Sequence, residues 1–277
     1  MSEPEWRRLN RANWDERVDV HLGPGGYDLT ELRRGAGRLT AVEEALLPPL
    51  AGRRVLHLQC HIGSDTLVFA QRGAEVVGLD FSPRAVAAAT ALAGELGLGE
   101  QARFVEADLY DAPQAIGGQF DLVFVNWGAI CWLPDIDGWA RVVAGFVRPG
   151  GMLVMAEGHP AALVMDSGKP TPEGLPGYDA PYFLDGPLLC DEERDYSDPD
   201  ARLQNRSTQQ FFHPLGDVVS ALIRHGLTLE VLREHREAAW KMFDCLVPGS
   251  DGMWRWPDRA WLPLAYTLAA RRSVTNR

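Results

Sequence analysis

Between residues 53 and 154 short apolar runs alternate with longer amphipathic stretches, and most changes of period fall at a glycine, a proline or a polar capping residue. VLHL (Val55–Leu58), AEVVGLD (Ala74–Asp80), ARFVEAD (Ala102–Asp108), FDLVFVN (Phe120–Asn126) and MLVMAE (Met152–Glu157) read as strands. Between them lie helical patterns. DTLVFAQRG ends at Gly73, a helix stop, and Ser82 with Pro83 supplies an N-cap and a first-turn proline for an alanine-rich helix reaching about Gly97. A third helix spans about Ile136 to Val147, before the turn RPGG. Strands alternating with crossover helices predict a parallel sheet.

From Gly158 to about Arg206 the periodicity fails among prolines, glycines, aromatics and two acidic clusters, so an insertion over the sheet edge is expected at about 158–210. The pattern then resumes with a helix at Pro214–Gly226, a strand at Leu227–His235 and a last strand at Leu264–Arg272, which together suggest a terminal hairpin. The predicted fold is α/β: a Rossmann-like, doubly wound sheet of about seven strands, mostly parallel, with a C-terminal antiparallel hairpin. The first 50 residues hold a helix around Asn13–Val20, a glycine turn (Gly23–Gly26) and a helix at Thr40–Leu47. They form either a packing cap or a lid over the carboxyl ends of the strands, where open α/β sheets bind ligands. Two units are therefore expected, a helical cap at 1–50 and the sheet domain at 51–277.

Composition narrows this picture. With 277 residues, 46% hydrophobic and 23% charged, the chain is long enough for one large domain with an elaboration. A net charge of -11 weighs against a dense phosphate footprint, so no nucleic acid partner is expected. Cys60, Cys131, Cys190 and Cys245 follow no CxxC spacing and read as reduced thiols. The start of the chain lacks an apolar signal core, and no run approaches the ~18 apolar residues of a membrane span. A cytoplasmic protein without a membrane partner is expected, and its oligomeric state is not legible.

Candidate chemistry lies between Leu56 and Asp80. The turn QCHIGSD (Gln59–Asp65) leads from a strand into a helix, where free backbone N–H groups suit a carboxylate or phosphate. Asp80, 21 residues after Gln59, ends the next strand and can accept both hydroxyls of a ribose. Asp108 closes the third strand at the same edge, where it can accept the exocyclic amine of adenine. Each acid also has a structural reading as a cap or loop residue.

In this order the motifs resemble those of the class I S-adenosylmethionine-dependent methyltransferases, small-molecule branch, over roughly Arg53–Arg272. VLHLQCHIGSDT keeps Gly63 but has Gln59 and His61 where that family commonly has glycines. The resemblance implies ribose binding by Asp80, adenine contacts from Phe81, Asp108 and Leu109, and Asn126 and Trp127 near the sulfonium. His61 either touches the cofactor tail or caps the next helix. The implied reaction moves a methyl group to an N, O or C nucleophile of a small molecule by in-line displacement. His159, just after the fifth strand, is the first candidate base, with His213 and His235 next, although lone histidines at strand ends are commonly structural. Trp14, Trp127 and Trp240 are candidates for a substrate pocket, and Tyr27 for its lid. No metal is expected: Asp135, Asp137 and Glu157 are available, but WLPDIDGW reads equally as a helix start. The missing GxGxxG weighs against the competing NAD(P)-dependent oxidoreductase. A non-catalytic cofactor-binding protein is the third reading.

Overall fold

The computed structural model describes residues 3–274; residues 1–2 and 275–277, at the ends of the two expected units, lie outside the described residues. The predicted runs assemble into one seven-stranded sheet. Its parallel strands are β1 (Arg54–Leu58), β2 (Glu75–Asp80), β3 (Ala102–Glu106), β4 (Phe120–Asn126) and β5 (Val147–Gly158). A hairpin, β6 (Leu188–Asp191) with β7 (Ser207–Gln210), stands apart from it. β8 (Leu227–His235) and β9 (Ala265–Arg272) complete the sheet, antiparallel to each other, with β9 antiparallel to β5. The order is β8-β9-β5-β4-β1-β2-β3. The chain thus winds outward from β1 in one direction and then restarts at β4 on its other side. The carboxyl ends of β1 and β4 flank the resulting switch point, where such sheets hold ligands.

Both faces of the sheet are covered. Leu56, Leu58, Val123 and Val125 pack with Trp139 and Val143 of α6 (Ile136–Phe146) and with Val218 and Leu222 of α7 (Leu215–Arg224). On the other face Val55, Val76, Leu122 and Phe124 meet Leu67 and Phe69 of α4 (Ser64–Gln71) and Leu92 of α5 (Pro83–Glu95). Each such fully buried side chain contributes about 1.5–3 kcal/mol of transfer free energy. Alternation along β1 therefore places apolar groups on both sides, with one exception, His57. Its ring is satisfied by Thr66 Oγ1 at 2.8 Å and Asn126 Oδ1 at 3.0 Å, and burial lowers its pKa to about 4, so it is neutral.

The N-terminal segment differs from its expected outline. α1 runs from Glu5 to Leu22, beyond the predicted Asn13–Val20, because its inward face is polar: Asn10, Asn13, Arg17 and His21 are buried with Val18. Hydrophobic periodicity cannot register such a face. α2 (Thr30–Arg33) and α3 (Ala41–Glu44) are single turns, the second replacing the longer predicted Thr40–Leu47 helix. The expected insertion contains the β6–β7 hairpin, and α1 lies along β7 and α5. Among the described residues no helix is long and apolar enough to cross a membrane.

Candidate functional site at the carboxyl edge of the sheet

Three non-glycine residues have left-handed backbone at the switch point: Gln59 (φ 58°) and His61 (φ 49°) after β1, and Trp127 (φ 41°) after β4. Such residues cost on the order of 1–3 kcal/mol each and cluster at functional sites. Gly63 (φ 72°) is required outright, since a Cβ there would come within 2.5 Å of the Phe104 ring. The turn is fastened by Asp80: Oδ2 accepts the His61 N–H at 2.8 Å and Oδ1 accepts the Ser82 N–H at 2.9 Å. Burial raises the Asp80 pKa to about 6, against these hydrogen bonds. Each oxygen keeps lone-pair capacity for a further donor. Ser82 caps α5 as predicted, accepting the Ala85 N–H at 3.0 Å, and also bonds Asp15 of α1.

β3 ends at Glu106, so Asp108 lies two residues beyond the strand that it was expected to close. There it accepts the Tyr110 N–H at 2.9 Å, and Arg7 Nε stands 3.0 Å from its other oxygen. Burial nevertheless raises its pKa. Leu109 is part of the core, and Phe81 is half-buried.

Asn126 joins two carboxylates that sequence reading missed. Its amide donates to Asp65 Oδ2 at 2.7 Å and to Glu43 Oε1 at 2.9 Å, while its oxygen meets His57. Glu43 rises to about pKa 7, first through burial and then through the charge of Asp65, against the hydrogen bonds of Thr40 and Asn126. Burial raises Asp65 as well.

The aromatic candidates divide into two groups. Trp14 of α1 meets the His61 ring at 5.1 Å and Trp132 at 5.4 Å, while Tyr27 stacks on His21 at 4.4 Å and hydrogen-bonds the Tyr196 hydroxyl. Trp127 and Trp240 pack edge to face at 6.1 Å beside Gly158. His159 has both ring nitrogens engaged: Nδ1 accepts the Ala161 N–H at 3.1 Å, capping the short helix Pro160–Leu163, and Nε2 lies 3.0 Å from Glu234. His213 and His235 are likewise held, by the Leu133 carbonyl and by Thr267. Glu157 accepts the N–H groups of Gly128, Ala129, Ile130 and Gly158, so it fixes the backbone after β4.

Eleven buried side-chain N and O atoms lack a hydrogen-bond partner among the described residues, and five of them belong to Trp14, Gln59, His61, Trp127 and Trp132. Orphaned polar atoms are rare in folded proteins, and their concentration around the β1 and β4 ends fits a polar ligand there. The remaining chemistry suits an adenosyl amino acid. Asp80 and Asp108 can accept hydroxyl and amine protons, and the turn keeps Cβ atoms where a pyrophosphate would need glycine.

Comparison with known proteins agrees. Residues 56–153 match a family model described as a methyltransferase domain. The chain is similar to the 23S rRNA (uracil(1939)-C(5))-methyltransferase of Acidithiobacillus ferrooxidans, at 32% identity over 44% of this chain and 27% of that one. It is also similar to the ubiquinone biosynthesis O-methyltransferase of Agrobacterium fabrum, at 33% identity over 39% of this chain and 42% of that one. The chain thus matches less than half the length of these relatives. Among solved structures it resembles magnesium protoporphyrin IX methyltransferase from Synechocystis PCC 6803 with bound SAH, with a TM-score of 0.57 and 17% identity over 97% of this chain and 100% of that one.

One expectation is corrected. The acidic composition led to the expectation of no nucleic acid partner, yet rRNA methyltransferases of four species are among the relatives. Net charge is a sum over the whole surface, whereas phosphate binding depends on where individual Lys and Arg side chains stand. That expectation therefore does not hold. With the matched segment, the sheet order and the strand-end site in agreement, the chain has the fold of the class I S-adenosylmethionine-dependent methyltransferases, and residues 56–153 match the methyltransferase-domain model.

Proposed function

We propose that the chain transfers a methyl group from S-adenosylmethionine to an N, O or C nucleophile of a small molecule. The observation that carries this reading is the convergence of the ends of β1, β2 and β4, and of the turn after β3, on one edge rich in orphaned polar atoms. Gln59, His61 and Gly63 would hold the methionine tail, Asp80 the ribose, Asp108 with Phe81 and Leu109 the adenine, and Asn126 with Trp127 the sulfur end. When bound, the cofactor supplies a methyl already activated on a sulfonium. The protein then has to align the nucleophile and keep water out. Trp14 and Tyr27 over the turn, and Trp127 with Trp240, would form the apolar walls for the acceptor. His159 would serve as a base only if its Nδ1 lone pair were freed from the Ala161 N–H.

Calorimetric titration with S-adenosylhomocysteine tests the cofactor, and Asp80→Ala is expected to lower the affinity at least tenfold, as loss of a charged hydrogen-bond acceptor does. Absence of heat at millimolar ligand would sink the reading. Transfer of labelled methyl to a panel of phenols, amines and carboxylates tests the acceptor class, and the similarity to rRNA methyltransferases places RNA in the same panel. Label entering RNA alone would replace the small-molecule acceptor by a nucleic acid base.

A further inference from the structure

α1 and the segment between β6 and β7 meet at the cofactor turn through side chains that the reading above does not use. His21 Nε2 lies 3.2 Å from both oxygens of Asp195, and His21 Nδ1 lies 2.7 Å from His61 Nε2. The other ring nitrogen of His61, Nδ1, is buried and has no partner. Three residues from distant parts of the chain therefore form a line that ends on a bare nitrogen in the turn after β1.

The line has a direction. Asp195 also accepts Arg17 Nη1 at 2.7 Å and the backbone N–H and hydroxyl of Ser197 at 2.7 and 2.6 Å. Burial works to raise its pKa, but the bonds from His21 and Ser197 hold it well below the usual carboxylate range, so it accepts only. Arg17, which also pairs with Glu192, supplies its counter-charge. When His21 holds a single ring proton, the facing carboxylate draws it to Nε2 and leaves a lone pair on Nδ1. Only a donor can approach that lone pair at 2.7 Å, so the proton of His61 is on Nε2. Burial pushes the His61 pKa well down and keeps the ring neutral. Its Nδ1 is then a lone pair. Tyr27 stacked on His21 and Trp14 against His61 fix the two ring planes.

We propose that Asp195 and His21 are positioning residues that hold His61 in the tautomer with a bare Nδ1, so that this nitrogen receives an N–H or O–H donor in the cofactor site. The identity of the donor rests on the methyltransferase reading; the tautomers do not. Two sources carry the required proton: the α-ammonium of the cofactor tail, and the hydroxyl or amine of the methyl acceptor. In the second case His61 is the base. The acceptor's proton moves to His61 Nδ1 while the Nε2 proton of His61 passes to His21 Nδ1. The positive charge then rests on His21, opposite the Asp195 carboxylate, and the His21 Nε2 proton never leaves.

Long-range proton–nitrogen correlation spectra of the ¹⁵N-labelled chain at about pH 8, where imidazoles are neutral, test this directly. Both His21 and His61 are expected as Nε2–H tautomers. A proton on His61 Nδ1 in the wild type overturns the proposal, as does a His21→Phe variant in which His61 keeps its tautomer unchanged. Titration with S-adenosylhomocysteine and with 5′-methylthioadenosine, which lacks the amino-acid tail, then separates the sources. If the ammonium is the donor, His21→Phe weakens S-adenosylhomocysteine about tenfold and leaves 5′-methylthioadenosine unchanged. If the methyl acceptor is the donor, both nucleosides bind the variant as they bind the wild type. A wild type that binds neither nucleoside removes the methyltransferase reading, while the tautomers stand or fall on the spectra.

Discussion

Asn126 places a single amide between two buried carboxylates, and the consequence is a pH dependence of stability. Glu43 is raised from an ordinary 4.5 to about 7 in the folded chain, so the native state binds its proton more tightly than the unfolded state does. That contribution is complete below about pH 4.5 and is lost as pH rises through about 7. Glu43→Gln cannot titrate and should flatten this part of the profile. Between pH 5 and 8 the variant is expected to gain on the order of 2–3 kcal/mol relative to wild type, read as the difference between two urea-unfolding series. Equal slopes in the two series would mean that Glu43 is ionised in the folded chain. Glu43, Asp65 and His57 left no mark in the sequence because they come together only through Asn126, 83 residues beyond Glu43. Asp80 and Asp108 were legible for the opposite reason: each follows an apolar run, and position along a strand is something a sequence displays.

At the scale of elements the same contrast recurs. The inner sheet strands were readable because a strand buried on both faces is written in consecutive apolar residues. α1 was readable only in part, since four of its five buried positions are polar and find their partners in a segment with no periodicity. Asn10 exchanges two hydrogen bonds with Gln209 at 2.8 Å each, Glu16 accepts the N–H groups of Gln204 and Asn205, and Arg17 reaches Asp195. The Arg17 and Asp195 side chains are 4% and 0% exposed, so removing Arg17 leaves the Asp195 carboxylate buried without its cation, whereas removing Asp195 leaves Arg17 paired with Glu192. Arg17→Ala should destabilise by about 3–5 kcal/mol and Asp195→Ala by less. The double variant should fall short of their sum by about 1–3 kcal/mol, the signature of direct coupling. A double-mutant cycle in urea checks this, and simple additivity would show that the pair is not formed in solution.

The whole molecule inherits its cooperativity from these attachments. The N-terminal 50 residues, expected as a helical cap or lid, are tied to several parts of the fold: α1 lies against β7 and α5, Glu44 of α3 pairs with Arg72 beside α4, and Glu43 reaches Asn126 at the end of β4. A unit tied at so many buried points has little to gain from unfolding alone. Calorimetry is therefore expected to show one transition for residues 1–277 in place of an early melting of the first 50. The proposed cofactor site is built from the same parts, the turn after β1, the ends of β2 and β4, and α1 above them. A ligand there must stabilise all of them together. At 100 times its dissociation constant S-adenosylhomocysteine should add about 2.7 kcal/mol, a rise of roughly 5 °C or more in the single transition. If instead a low-temperature step appears that the ligand does not move, the N-terminal segment is a detachable cap and the site is complete without it.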